Sequence, residues 1–252
     1  MNSKTWSEVF KISSQSVNAR GVLGLFGLLN LLQETAWLHA EKIGFGSEQM
    51  ARDRMYWVIT RQIVEMKRWP TFGETIRIQT WLRPPEGAFV MRGFKIIDSQ
   101  DQVIGNCTTS FLALDQATGR ILPVEGIRPW NELIADELLT LEAEKIPVRG
   151  QYKKLAQFAV RNSDLDINQH VNNAKYAQWI LDAIPFELHK ILKLNSYSVN
   201  FLAETKLGDT VEIEQSVDDS SETAVGGSTV YRGVRISDGK NLFTARLNWE
   251  RR

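Results

Sequence analysis

The chain of 252 residues carries 30 basic and 30 acidic side chains, a formal net charge of zero, and one cysteine. That balance excludes bulk attraction to nucleic acid or to an anionic membrane, so a charged partner has to be met by a local patch. Cys107 alone rules out an intramolecular disulfide framework and fits a reducing, cytoplasmic setting, while the length suits one large domain or two small ones.

In chain order, "MNSKTWSEVFKISS" lacks the basic segment and apolar core of a secretory signal, and "EVFKIS" within it reads as a lone strand. "GVLGLFGLLNLL" (21–32) contains Asn30 and is about half the roughly 20 apolar residues of a membrane-crossing helix, so no membrane insertion is expected. Leu25, Leu28, Leu29, Leu32 and Ala36 recur at helical spacing instead and predict one long amphipathic helix. His39 falls in this helix as a surface or packing residue. Four strand-like runs follow: "RMYWVITRQIVEM", "ETIRIQTWLR", "AFVMRGFKII" and "QVIGNCTTSFLALD", with Cys107 as a small buried apolar residue of the last. "RPWNELIADELLTLEAEKIPV" (128–148) reads as a partly helical connector.

The order then repeats. A lone strand "AQFAVR" leads into the polar run "NSDLDINQHVNN" (162–173) and a helix on Ala174, Ala177, Ile180 and Leu181. His189 lies in a further helical stretch, and four strand-like runs close the chain: "SYSVNFLA", "DTVEIEQSV", "TAVGGSTVYRGVRIS" and "NLFTARLNWE". "GETIRI" (73–78) matches "GDTVEI" (208–213), "RGFKIID" (92–98) matches "RGVRISD" (232–238), and Asn30 with Trp37 match Asn172 with Trp179. Hairpin-type turns "DSQDQ" and "SDGKN" argue for antiparallel neighbours, and one helix covers only one face of such a sheet. The expected fold class is α+β, a long helix wrapped by a curved antiparallel sheet, present twice. The halves are 1–127 and 151–252, with 128–150 between them.

Laying Trp179 on Trp37 places Asp166, Asn168 and His170 over Gly24, Phe26 and Leu28, and Glu204 stands four residues before Gly208 as Trp69 stands four before Gly73. The first half is apolar where the second is polar, which suggests that one shapes a pocket and the other reacts. Asp166, Asn168 and His170 alternate, so an extended segment would point all three side chains one way. Capping of the following helix needs one such residue, not three plus a histidine. A calcium loop would start at Asp164, but Gln169 stands where that loop needs glycine and Lys175 where it needs glutamate. Three scattered histidines and one cysteine make no standard zinc site, and no nucleophile elbow or phosphate loop occurs; neither metal nor cofactor is expected.

The run "DLDINQHVNNAKYAQWILDAIP" resembles the signature of the acyl-[acyl carrier protein] thioesterases, the plant FatA/FatB type and its bacterial relatives. "LLQETAWLHAEKIGF", "WVITRQIVEMKRWPTFGETIRIQTW" and "VNFLAETKLGDTVEI" extend the likeness over nearly the whole chain. The resemblance implies a tandem hotdog fold and hydrolysis of the thioester that joins a fatty acyl chain to the phosphopantetheine arm of acyl carrier protein. The family's site residues fall on Asp166, Asn168, His170 and Glu204. Where plant members have cysteine after the glutamate, this chain has Thr205, which closes a cysteine-nucleophile route.

Direct attack by water is therefore expected. Glu204 is the general base, sharing the water with His170; Asn168 and backbone N–H groups from Val171 to Asn173 polarise the thioester oxygen, and Asp166 orients Asn168 or His170. Exchanging the roles of His170 and Glu204 is the alternative, and a histidine base would set an acidic limb at about pH 6 to 7. A non-catalytic acyl-thioester-binding protein, an acyl-CoA thioesterase and a dehydratase are the competing functions. Phe26, Leu29 and Gln33 are candidate acyl-pocket residues. Arg149, Lys153 and Lys154 form the candidate docking cluster for the acidic carrier protein, with Lys190 and Lys193 as a second. A homodimer is left open.

Overall fold

The computed structural model describes residues 4–123, 132–223 and 225–252. The chain divides into two compact units, Met1–Ala143 and Glu144–Arg252. The expected connector is split by this division, and its residues 128–131 lie outside the described ones.

In the first unit β1 (Thr5–Lys11) precedes α1 (Leu25–Lys42) and the short α2 (Ser47–Arg52). There follow β2 (Met55–Met66), β3 (Thr75–Glu86), β4 (Phe89–Asp98), β5 (Val103–Asp115) and the two-residue β6 (Ile121–Leu122). Its strands lie in the order β1-β3-β4-β5-β2, with β6 beside β5 and every named pair antiparallel. The second unit repeats this: β7 (Tyr152–Ala159), α3 (Asn173–Ala183), the short α4 (Phe186–Ile191), β8 (Leu192–Phe201), β9 (Thr210–Glu222), β10 (Gly226–Arg235) and β11 (Asn241–Arg251). Its order is β8-β11-β10-β9-β7, again antiparallel.

The repeated motifs have physical causes. Gly73 and Gly208 both turn the chain at positive φ, 83° and 92°, into β3 and β9, a conformation a side chain would strain. Gly93 faces Trp81 across the β3–β4 pair, where a Cβ would meet the indole at 2.7 Å, and Gly233 makes the same allowance for Phe243 in β11. The helices bury Leu25, Leu28, Leu29, Leu32, Thr35 and His39 from α1, and Ala174, Tyr176, Ala177, Trp179 and Ile180 from α3. Burying a leucine such as Leu28 or Leu32 contributes about 1.5–3 kcal/mol. The buried stripe of α1 runs on through Thr35 and His39, and Ala36 is only half-buried. His39 is a packing residue whose Nδ1 lies 2.8 Å from Arg92 Nη1, and burial brings that guanidinium down to about 10.

The connector corrects an expectation. Among its described residues Glu132 is helical and Leu133 a turn, and residues 134–150 run without helix. Their backbone groups bond to side chains of the sheets instead: the Leu141 carbonyl accepts from Thr108 and Arg83, and Asn200 bonds both the Ile146 N–H and the Glu144 carbonyl. These bonds replace the i to i+4 ladder that the local composition would otherwise support.

Candidate active site

After β7 a 3₁₀ turn, Asn162–Asp164, brings in the first aspartate. Asp164 is buried; its carboxylate accepts the Arg161 N–H at 2.8 Å and pairs with Lys175 Nζ at 3.2 Å, and its carbonyl accepts the Asn172 N–H. It staples this turn to the start of α3, which accounts for it without a metal. Asn172 is the helix cap, its side chain accepting the Ala174 N–H at 2.9 Å.

Leu165 and Val171 form an isolated antiparallel bridge, and between them the chain reverses. The Asp166 N–H donates to the His170 carbonyl at 2.8 Å, and Asp166 Oδ1 accepts the N–H groups of Asn168 and His170 at 2.8 and 3.2 Å. Gln169 completes the reversal at a φ of 63°. The segment is thus a tight loop and not the extended run that would align three side chains. An aspartate that captures the N–H groups two and four residues on competes successfully with strand pairing. Asp166 thus bonds Asn168 and His170 through their backbones.

His170 and Glu204 are brought together. Nε2 lies 3.9 Å from Oε2, with the two side chains 39% and 46% exposed. That gap is too long for a hydrogen bond and suits one shared water. Lys206 Nζ, which sequence reasoning missed although it stands two residues from Glu204, lies 3.3 Å from the same oxygen. Asn168 is exposed on the loop.

Thr205 turns inward. It is 1% exposed, beside Tyr176, whose hydroxyl burial pushes up to about 12. Its carbonyl accepts the Val171 N–H at 3.3 Å. With Val171 and Asn172 N–H groups bonded to Thr205 and Asp164, the Asn173 N–H, first of the helix, is the one of the three expected donors without a backbone partner among the described residues.

Elsewhere the candidates differ. On α1, Leu29 is buried, Phe26 half-buried and Gln33 exposed, and their spacing of three and four residues places them along one face of the helix. Arg149 pairs with Asp219 at 3.3 Å, Lys154 with Glu212 at 3.0 Å, and Lys190 and Lys193 with Glu187 and Glu250 at 2.7 Å each, while Lys153 is exposed. Local carboxylates thus offset most of the positive charge expected for docking. His189 Nε2 meets the Leu181 carbonyl at 2.9 Å, and Cys107 is fully buried. Among the described residues, no group of three or more His, Cys, Asp or Glu could hold a metal ion, and no helix is long and apolar enough to cross a membrane.

Two family models match: the acyl-ACP thioesterase N-terminal domain over residues 3–126 and the acyl-ACP thioesterase C-terminal domain over 149–251. The chain belongs to the acyl-ACP thioesterase family. Its relatives include an acyl-[acyl-carrier-protein] hydrolase of Cuphea viscosissima, 24% identical over 97% of this chain and 62% of that protein. A palmitoyl-acyl carrier protein thioesterase of Gossypium hirsutum is 27% identical over 97% and 63%. The chain thus spans less than two thirds of the length of these plant thioesterases. Its fold is that of an acyl-ACP thioesterase from Bacteroides thetaiotaomicron, with a TM-score of 0.87, 24% identity and 98% of both chains covered. The 12:0-ACP thioesterase from Umbellularia californica shares it with a TM-score of 0.81 and 21% identity, over 98% of this chain and 94% of that one. The two α+β halves are therefore a tandem hotdog.

Proposed function

We propose that this thioesterase-family chain hydrolyses the thioester of fatty acyl-[acyl carrier protein] by direct attack of water, releasing free fatty acid. The observation that carries this reading is the half-exposed pair of His170 and Glu204, spaced for one water, beside the N-terminus of α3. Glu204 takes the proton of a water held against His170, and the water oxygen attacks the thioester carbon. The carbonyl oxygen gains charge as the tetrahedral intermediate forms, where the Asn168 amide and the Asn173 N–H offer donors. Collapse breaks the carbon–sulfur bond, and the proton returns to the departing thiolate of the phosphopantetheine arm. Thr205 takes no covalent part in this scheme, being buried against Tyr176.

The partner in this reading is acyl carrier protein, and Lys206 is a cation beside the reacting groups, its Nζ 3.3 Å from Glu204 Oε2. Phe26, Leu29 and Gln33 remain the acyl-pocket residues of the first half in this reading. The setting is the cytoplasm, and the thiol of Cys107, pushed up to about 12 by burial, is kept out of the chemistry.

The test is thiol release from a series of acyl-carrier-protein and acyl-CoA substrates. Wild type, Glu204→Gln, Asn168→Ala and Thr205→Ala are compared at equal folded concentration. Release lost in the first two variants and retained in the third supports water attack. No release by wild type on any chain length would sink the enzyme and leave an acyl-thioester-binding protein.

A further inference from the structure

The segment 203–209 carries Glu204 and has no secondary structure of its own, so its position depends on what ties it down. Its start is held by the Leu242 carbonyl, which accepts the Leu202 and Ala203 N–H groups. Its end is closed by Asp209, whose carboxylate accepts the Lys206 N–H at 2.9 Å. Arg235, the last residue of β10, secures the middle. Its Nη2 donates to the Glu204 carbonyl, its Nε meets Asp209 Oδ2 at 3.1 Å, and its Nη1 meets Asp238 Oδ2 at 3.0 Å. The side chain is 19% exposed, and each of its three nitrogens meets an acceptor.

The first half closes the matching pair of carboxylates differently. There Arg68, from the loop before Gly73, reaches Glu74 at 2.8 Å and Asp98 at 3.1 Å, and these stand where Asp209 and Asp238 stand in the repeat. Lys95, the counterpart of Arg235, turns to Glu137 instead. A cation joining the two carboxylates is thus common to both halves. The bond from that cation to the backbone of a functional residue belongs to the second.

We infer that Arg235 is a positioning residue for Glu204: it sets the height of the carboxylate against His170 by holding the Glu204 carbonyl, without touching substrate. This rests on the proposed role of Glu204. A planar fork is needed, because a lysine ammonium at this position keeps one ion pair but cannot reach three separated acceptors in fixed directions.

The experiment compares wild type, Arg235→Lys and Arg235→Met, each also in a Glu204→Gln background, in thiol release, with amide hydrogen exchange at Lys206 and Val171 measured in parallel. Displacing a reacting group by about 1 Å costs on the order of 100-fold. Arg235→Met should therefore lower kcat by roughly 10- to 100-fold with KM within about twofold, and should change kcat less than about twofold once Glu204 is glutamine. Arg235→Lys should keep the melting temperature without restoring kcat. Unchanged kcat, a rise in KM alone, or an equal loss in the Glu204→Gln background would overturn the inference. Should wild type release no thiol, the functional reading fails. In that case, or if Glu204→Gln turns over too slowly to read or Arg235→Met does not fold, exchange at the two amides in Arg235→Lys decides: faster exchange supports the clamp, and unchanged exchange overturns it.

Discussion

The two long helices end alike and begin differently. When Trp179 is laid on Trp37, the last residues of α1 and α3 coincide to within one position, yet α1 has 18 residues and α3 has 11. The difference lies at the N-terminus. Where the first half is already helical at Phe26 and Leu28, the second holds the loop Asp166–His170. α1 starts from Gly24 with no side-chain cap, and α3 starts from Asn172 with one. The second half has a loop in place of those first helical turns; it exposes Asn168 and sets His170 against Glu204, and of the first-turn N–H groups of the shortened helix those of Ala174 and Lys175 are taken by Asn172, which leaves that of Asn173. The candidate site thus occupies the place of a helix end and not that of an added element.

The comparison can be broken most severely at His170. His170→Leu installs the residue that the first half has there. If the loop exists for chemistry, thiol release should fall by roughly 100- to 10,000-fold, the range of general acid–base catalysis, with the fold retained by circular dichroism. Retained activity would show the loop to be structural. Asp166→Ala should come next: it removes the acceptor of two loop N–H groups, so kcat should drop by about tenfold or more, with a stability loss of about 1 kcal/mol in urea. Asp166→Asn keeps an acceptor oxygen and should recover part of both. Equal losses in the two variants would instead assign Asp166 to direct chemistry.

A smaller effect separates cap from site. Asn172→Ala should cost about 1 kcal/mol of stability and act on kcat only through fraying of the first turn. The measurement is urea unfolding beside thiol release at a temperature where the variant is fully folded. A kcat loss as large as that of His170→Leu would mean that the cap and the site are one device.

How much of this was legible in the sequence follows from the range of the interactions. The duplicated α+β order was readable because Gly73 and Gly208, and Gly93 and Gly233, answer to local needs, a left-handed turn and room for an aromatic neighbour. The stripes of α1 and α3 were readable through their period. The course of 134–150 was not, since side chains distant in sequence, Arg83, Thr108, Asn200 and Thr244, take its backbone groups. Nor was the loop at 166–170: alternating polar residues fit a strand as well as a turn, and only the bonds to Asp166 Oδ1 decide. His170 and Glu204 could be nominated by resemblance, but Arg235 lies in a strand pattern with nothing to mark its reach to Glu204. For Gln33, helical spacing from Leu29 gave the face but not the edge of the buried stripe, outside which it is exposed.

The smallest expected effect concerns the two turn aspartates that the repeat shares. Asp98 accepts the Gln102 and Gln100 N–H groups and meets Arg68; Asp238 accepts the Lys240 N–H and meets Arg235. The backbone bond to Gln102 in one, and to Lys240 in the other, is the main cause holding each carboxyl below its ordinary value of 3.8. Because the folded value is the lower, each contributes stability that is present above 3.8 and is lost as pH falls through the folded value. Asp98→Asn and Asp238→Asn should each lower the melting temperature slightly at pH 7 and leave it unchanged once the pH is below the folded value of the carboxyl replaced, flattening the acid limb in both. They should part company in activity. Asp98→Asn loosens only Arg68 and should leave thiol release intact, whereas Asp238→Asn frees one arm of the fork that holds Glu204 and should slow it. Matching losses in the two would show that these turns act on the fold as a whole, and matching indifference would mean that Asp209 alone anchors Arg235.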